Sequence, residues 1–210
     1  MRTPWTHAGL KPVILLLAVL APVLILTASC RNATPPMHFY SLTPLDEPLT
    51  DPDHRAMGVA VGVGPLDIPL GVDRPNIVTR TGPNSLNLAE YHRWSGTLQG
   101  DMLEVLTQNL SLLLESDRVV EFPWSNFMIP EYRVPITVHR LDGALGGEVV
   151  LDATWAIARG ATRQSLVVHR SVITQTAQGP EYADLVAASS RAVAALSRAI
   201  AEEMLRLRGR

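Results

Sequence analysis

The stretch Val149-Val150-Leu151-Asp152-Ala153-Thr154-Trp155-Ala156-Ile157-Ala158 decides the fold. Its apolar residues Val149, Leu151, Ala153, Trp155 and Ile157 occupy every second position. A period of two places them on one face of a β-strand, an arrangement no helix would produce. The flanking segments Tyr132 to Leu141 and Leu166 to Thr176 read as further strands, and Gly143, Gly146 and Gly147 supply the turn before the middle one. Arg118-Val119-Val120-Glu121-Phe122 precedes them as a shorter run.

Upstream the period changes. Between Thr97 and Glu115, the residues Leu98, Met102, Val105 with Leu106, Leu110 and Leu113 recur at three-to-four-residue steps, the apolar stripe of a helix. Ser95 or Thr97 is placed to cap it, and Asp101 and Glu104 lie towards the end where the helix dipole favours acids. A second helix is expected over Tyr182 to Leu207. Its stripe of Tyr182, Leu185, Val186, Ser189, Ala192, Val193, Leu196 and Ile200 is rich in small residues that suit close packing on a sheet.

The remaining strands lie before the first helix. His38-Phe39-Tyr40-Ser41-Leu42 reads as a short one, and Pro44 to Arg55, acidic with three prolines, reads as a solvated loop. From Met57 to Val63 the bulky Met57, Val59, Val61 and Val63 alternate with Gly58, Ala60 and Gly62, a face shaved for close approach of backbone or helix. Pro65 and Pro69 are expected to end that strand. Val72 to Arg80 is a turn leading into a β-branched strand, Gly82-Pro83-Asn84-Ser85 a turn, and Leu86 to His92 the returning hairpin partner. Two helices among several strands indicate a layered α/β or α+β domain.

The amino terminus is of another kind. Arg2 and Lys11 are basic, no acid precedes Asp46, and Val13 to Leu26 is apolar apart from Pro22. As a helix those fourteen residues would rise about 21 Å, short of the roughly 30 Å hydrocarbon core. The pattern is that of a cleaved signal peptide over residues 1–29. Leu26-Thr27-Ala28-Ser29-Cys30 resembles the lipobox of bacterial lipoproteins, with Thr27 where leucine is commonest. That resemblance implies a diacylglycerol on the Cys30 thiol, cleavage just before it, and a fatty acyl group such as palmitate on the new amine. Cys30 is the chain's only cysteine, and lipidation accounts for a lone thiol in an exported protein. Several acyl chains together hold stably to a membrane. Residues 30–36 are then a short tether and 37–210 a single periplasmic domain. Arg31, where an aspartate favours inner-membrane retention in enteric bacteria, points to the outer membrane, with inner-membrane retention as the alternative.

Composition narrows the function. Loss of Arg2 and Lys11 with the leader leaves 16 basic against 20 acidic residues, which argues against nucleic acid as a partner. Lys11 is the only lysine, so the mature chain has no Walker A loop. Gly62-Val63-Gly64 starts like a dinucleotide fingerprint, but Asp67 replaces its third glycine and Pro65 blocks the helix. No Gly-x-Ser-x-Gly elbow occurs. His38, His54, His92, His139 and His169 lack metal-ligand spacing. No cofactor, metal or catalytic residue is expected, and Asp152 reads as a partly buried strand residue.

Taken in order, several segments resemble the PqiC family, auxiliary lipoproteins of ABC-type, MCE-linked transport systems. They are Phe39-Tyr40-Ser41-Leu42, Val61-Gly62-Val63-Gly64-Pro65-Leu66-Asp67-Ile68-Pro69, Asp73-Arg74-Pro75-Asn76-Ile77-Val78-Thr79-Arg80 and Glu90-Tyr91-His92-Arg93-Trp94. Leu151-Asp152-Ala153-Thr154-Trp155 and the last helix's Ala187 to Ser197 follow. The family's usual tyrosine pair appears here as Phe39-Tyr40. The resemblance implies a three-layer α/β sandwich with a mixed sheet and two main helices. It also implies a non-enzymatic role in lipid transport between membranes beside an MCE-domain periplasmic protein, with a homo-oligomeric ring as a further expectation.

Candidate partner-binding residues are Asp73, Arg74, Arg80, Arg93 and Trp94. Arg74 precedes proline on an extended turn where Asp73 could brace it. Arg80 and Arg93 could flank Glu90 in an ordinary surface ion pair, and Trp94 could staple loop to core or anchor a partner. Two other function classes stand beside transport. A periplasmic lipoprotein enzyme acting on envelope components would show a polar pocket with convergent acids or histidines. A purely structural envelope-assembly lipoprotein would leave lipid transfer unchanged on deletion.

Overall fold

The computed structural model describes residues 35–47, 58–124 and 128–208. The expected signal peptide, Cys30, Met57 and most of the acidic loop lie outside the described residues. In chain order the elements are β1 (His38–Tyr40), β2 (Val61–Asp67), β3 (Asn76–Gly82), β4 (Ser85–Trp94), α1 (Leu98–Leu113), β5 (Val119–Glu121), β6 (Tyr132–Gly143), β7 (Glu148–Arg159), β8 (Ser165–Thr176) and α2 (Tyr182–Arg208).

β7 carries the period-two stretch 149–158. Val149, Leu151, Ala153, Trp155 and Ile157 are all buried, while Val150, Asp152, Thr154 and Ala156 on the other face are partly exposed. It pairs antiparallel with β6 on one side and β8 on the other, so Trp155 stands between Ile136 and His169. The full sheet runs β5-β2-β6-β7-β8, and β2 is parallel to both β5 and β6. It is therefore mixed, as expected. A second sheet of order β1-β4-β3 contains the expected hairpin, with β1 added parallel to β4. The fold is α/β with two helices, its strands divided between sheets of five and three.

The helices form where the sequence period indicates. Thr97, not Ser95, caps α1, its hydroxyl accepting from the Gly100 N–H at 3.1 Å. Asp184 in the first turn of α2 accepts from the Glu181 N–H, and Arg206 and Arg208 occupy the last turn, where the dipole favours cations. The helices pack on each other, and α2 packs on β6, β7 and β8. The core fills with Met102, Leu106 and Leu110 of α1, Leu196 and Ile200 of α2, and Val63, Val134, Ile136, Leu151 and Ile157 of the sheet. Each such side chain contributes about 1.5–3 kcal/mol on burial.

β2 departs from its expected form. It begins at Val61 and continues through Pro65 to Asp67. The register with β6 shifts between Val63 and Leu66, and Gly64 takes φ +109, a value that glycine accepts and most residues do not. This bulge accommodates a proline that lacks a ladder N–H. The shaved face also has a specific occupant. A Cβ on Gly62 would lie 2.8 Å from the Trp124 ring and 3.0 Å from Pro130, so these two residues, not a helix, pack on this glycine.

Candidate functional site

An anchor at Cys30 would transmit its pull into the domain through β1 and the residues after it, and this segment is held in an ordered way. The Leu42 N–H donates to Asp101 Oδ2 at 2.7 Å, the Thr43 N–H to Ser190 Oγ at 3.0 Å, and the Leu45 N–H to Asn109 Oδ1 at 2.7 Å. Asn109, fully buried, donates in turn to Ser197 Oγ at 3.0 Å. Ser190 and Ser197 donate to the carbonyls of Val186 and Val193, one turn earlier in α2. The backbone of 42–45, which has no strand partner there, thus finds acceptors on both helices. Burial raises the Asp101 pKa, against the pull of the Leu42 hydrogen bond.

Rings fix β1 beside this clamp. His92 on β4 stacks on Tyr182 of α2 with centroids 3.9 Å apart, and His38 stacks on His92 at 5.1 Å. The Tyr40 hydroxyl lies 2.8 Å from His92 Nδ1. Burial, then the neighbouring His38, holds the His92 pKa below its ordinary value. A neutral imidazole carrying its hydrogen on Nε2 would accept the Tyr40 hydroxyl hydrogen bond at Nδ1.

The candidate residues read from the sequence are placed in different environments. Arg80 does not pair with Glu90. It reaches across to β6, where its Nε and Nη2 donate to Asp142 at 2.9 and 2.7 Å, and its Nη1 donates to the Gly82 and Pro83 carbonyls. Asp142, 62 residues away in sequence, offers a buried acceptor that also pairs with Arg140. Asp73 does not brace Arg74; its carboxylate accepts from the Gln99 N–H at the start of α1. Trp94 is buried in the core, and its backbone N–H donates to the Pro75 carbonyl at 2.8 Å. Arg74 and Arg93 are exposed, and neither forms an ion pair among the described residues.

Asp152 is partly buried on β7, as expected, and takes a two-pronged bond from Arg170 of β8 at 2.8 and 2.6 Å. His139 bonds Thr154, and His169 lies 3.9 Å from Glu203. Among the described residues no three histidine, cysteine or acidic side chains form a metal-binding group. No described helix is long and apolar enough to cross a membrane.

Residues 40–201 match the family model for the ABC-type transport auxiliary lipoprotein component. The chain belongs to this family. The likeness to PqiC proteins read from the ordered segments is thereby borne out. Among solved structures, that of an uncharacterised protein aligns with TM-score 0.64 at 19% identity, covering 81% of this chain and 99% of the other. The DUF330-family protein XCC0632 from Xanthomonas campestris aligns with TM-score 0.65 at 13% identity, covering 78% and 91%. At these identities the likeness is one of fold. No curated protein matches the sequence. In this auxiliary lipoprotein the matched region takes in Tyr40, the clamped segment 42–45, and the serines of α2 that hold it.

The clamp residues Asp101, Asn109, Ser190 and Ser197 were not singled out as a group by the sequence. The nearest signal was the small-residue stripe of the last helix. Two of its neighbours are small because a hydroxyl must meet a passing backbone or amide, not only because a sheet is close.

Proposed function

We propose that this auxiliary lipoprotein is a non-enzymatic subunit of an MCE-type system that moves lipid between membranes. In this reading Cys30 anchors it to the outer membrane, and the periplasmic domain docks an MCE-domain protein. The observation that carries the reading is the family match across nearly every element of the domain, from Tyr40 into α2. The clamp supports it, because a domain pulled from its amino terminus gains from having that terminus bonded to both helices. The conspicuous acids support it too, since Asp142 and Asp152 are engaged by arginines and Asp101 by backbone.

Arg74 and Arg93, exposed and without ion pairs among the described residues, remain candidates for the docking surface, with Asp73 beside them. Arg80 and Trp94 would act there only indirectly, by fixing the sheet that carries these residues. Assembly into a ring of identical copies belongs to the same proposal. The exposed Val168 and Val172 on the edge strand β8 offer an apolar flank for such contacts.

Affinity purification of the tagged lipoprotein from crosslinked cells tests the reading. Recovery of an MCE-domain protein is the expected result, and repeated recovery of none would overturn the partner assignment.

A further inference from the structure

On the face of the five-stranded sheet opposite the helices, Phe122 and Trp124 wall a cleft of about 360 Å³. That lies within the roughly 300–1,000 Å³ range of small-molecule sites. Its apolar side is formed by Pro65, Phe122, Trp124 and Pro135, and its polar side by Arg133 and Arg163. No carboxylate lines it among the described residues. Phe122 and Trp124 meet edge to face at 5.2 Å, and Trp124 is set by the bare Cα of Gly62 behind it.

The two arginines differ in how their surroundings account for them. The Arg133 guanidinium lies 4.7 Å from the centroid of the Trp124 ring. Its Nε is buried with no hydrogen-bond acceptor among the described residues. A buried charged donor without a partner is costly, and an anion beside the guanidinium would offset part of that cost electrostatically. Arg163 sits in the β7–β8 turn at φ +57, a left-handed conformation in which glycine or asparagine is less strained. Its side chain forms no ion pair among the described residues. The turn, closed by the Arg163 N–H on the Arg159 carbonyl at 2.9 Å, sets that conformation; what the side chain adds at the cleft is a guanidinium unpaired among the described residues.

We propose that this cleft binds an anionic phospholipid, the two arginines taking the phosphate and the aromatic and proline wall taking the adjoining glycerol and first methylenes. Arginine's planar fork suits a phosphate, and the apolar wall gives a free inorganic ion nothing to contact. The net positive charge and the absence of acids disfavour a headgroup carrying its own cation. That the anion is a lipid rests on the transport reading above; that an anion with an apolar extension binds rests on the cleft alone.

The test titrates the mature lipoprotein, held in a neutral maltoside detergent, with dihexanoylphosphatidylglycerol, dihexanoylphosphatidylcholine and inorganic phosphate, followed by calorimetry. Phosphatidylglycerol should bind at least about tenfold more tightly than either comparison, and Arg133→Gln should weaken it by about tenfold or more. Arg163→Gly should weaken binding similarly while leaving the fold as stable or more so, because glycine relaxes the positive φ. Unchanged affinity in Arg163→Gly, or equal affinity for inorganic phosphate, would overturn the proposal. Both variants should still recover the transporter partner from crosslinked cells. Retained partner with no lipid binding would sink this site and leave the transport reading standing, whereas lipid binding without a partner would do the reverse.

Discussion

Arg80 on β3 and Asp142 on β6 form a two-pronged ion pair that fastens the three-stranded sheet to the five-stranded one. The Asp142 side chain is only 4% exposed, whereas Arg80 is 27% and Arg140 39% exposed. The acid is thus the desolvated partner, and its two guanidinium groups supply what burial removes. Asp142→Ala leaves two arginines facing an apolar hole and should cost about 2–4 kcal/mol. Urea unfolding midpoints of the wild type, Asp142→Ala, Arg80→Ala and the double variant check this. A double variant no worse than either single one is the expected coupling.

The same pair sets a pH dependence. Burial alone would raise the Asp142 pKa, but Arg80 and Arg140 outweigh it and hold the carboxyl below its ordinary range. A depressed folded value means the contribution is complete above the unfolded value near 4 and disappears as pH falls through the folded one. Wild-type stability should therefore drop below about pH 4 more steeply than that of Asp142→Asn. Parallel acid profiles would contradict this assignment.

Removing the clamp should loosen the entry segment before the rest of the domain. Asn109→Ala leaves the Leu45 N–H without its acceptor and Ser197 without its donor, at a cost of about 1–3 kcal/mol. Hydrogen exchange is the discriminating readout. Amides 42–45 should lose protection well beyond those of β7, and uniform loss along the chain would contradict the local role.

Much of the fold was legible because the decisive signals are local. The period-two pattern of 149–158 and the three-to-four-residue stripe of 98–113 are set by neighbours in sequence, and both elements formed where expected. What failed to show depends on distant partners. Pro65 reads as a strand end until the β6 register reveals a bulge around it. Gly62 announces close approach, but its occupant Trp124 lies 62 residues away. Glu90 was the near acid for Arg80, and the buried Asp142 proved the better one because two guanidinium groups share it. The division of strands into two sheets was equally hidden, since β1 joins β4 in parallel across about fifty residues of chain.

The anchor can be tested separately from the partner. Cys30→Ser should release the lipoprotein from the envelope into the soluble periplasmic fraction while its unfolding midpoint stays unchanged. Continued pelleting with membranes would show that something other than an acyl group holds it.

A role of this lipoprotein in lipid movement between membranes is read out most directly as lipid transfer by the complete transporter. Transfer of labelled phospholipid between vesicles of the two membranes would be followed with the wild-type lipoprotein, with Cys30→Ser and without the chain. Transfer should fall in both the second and third cases, and further in the third. Transfer at the full rate without the chain would contradict a transport role for this lipoprotein.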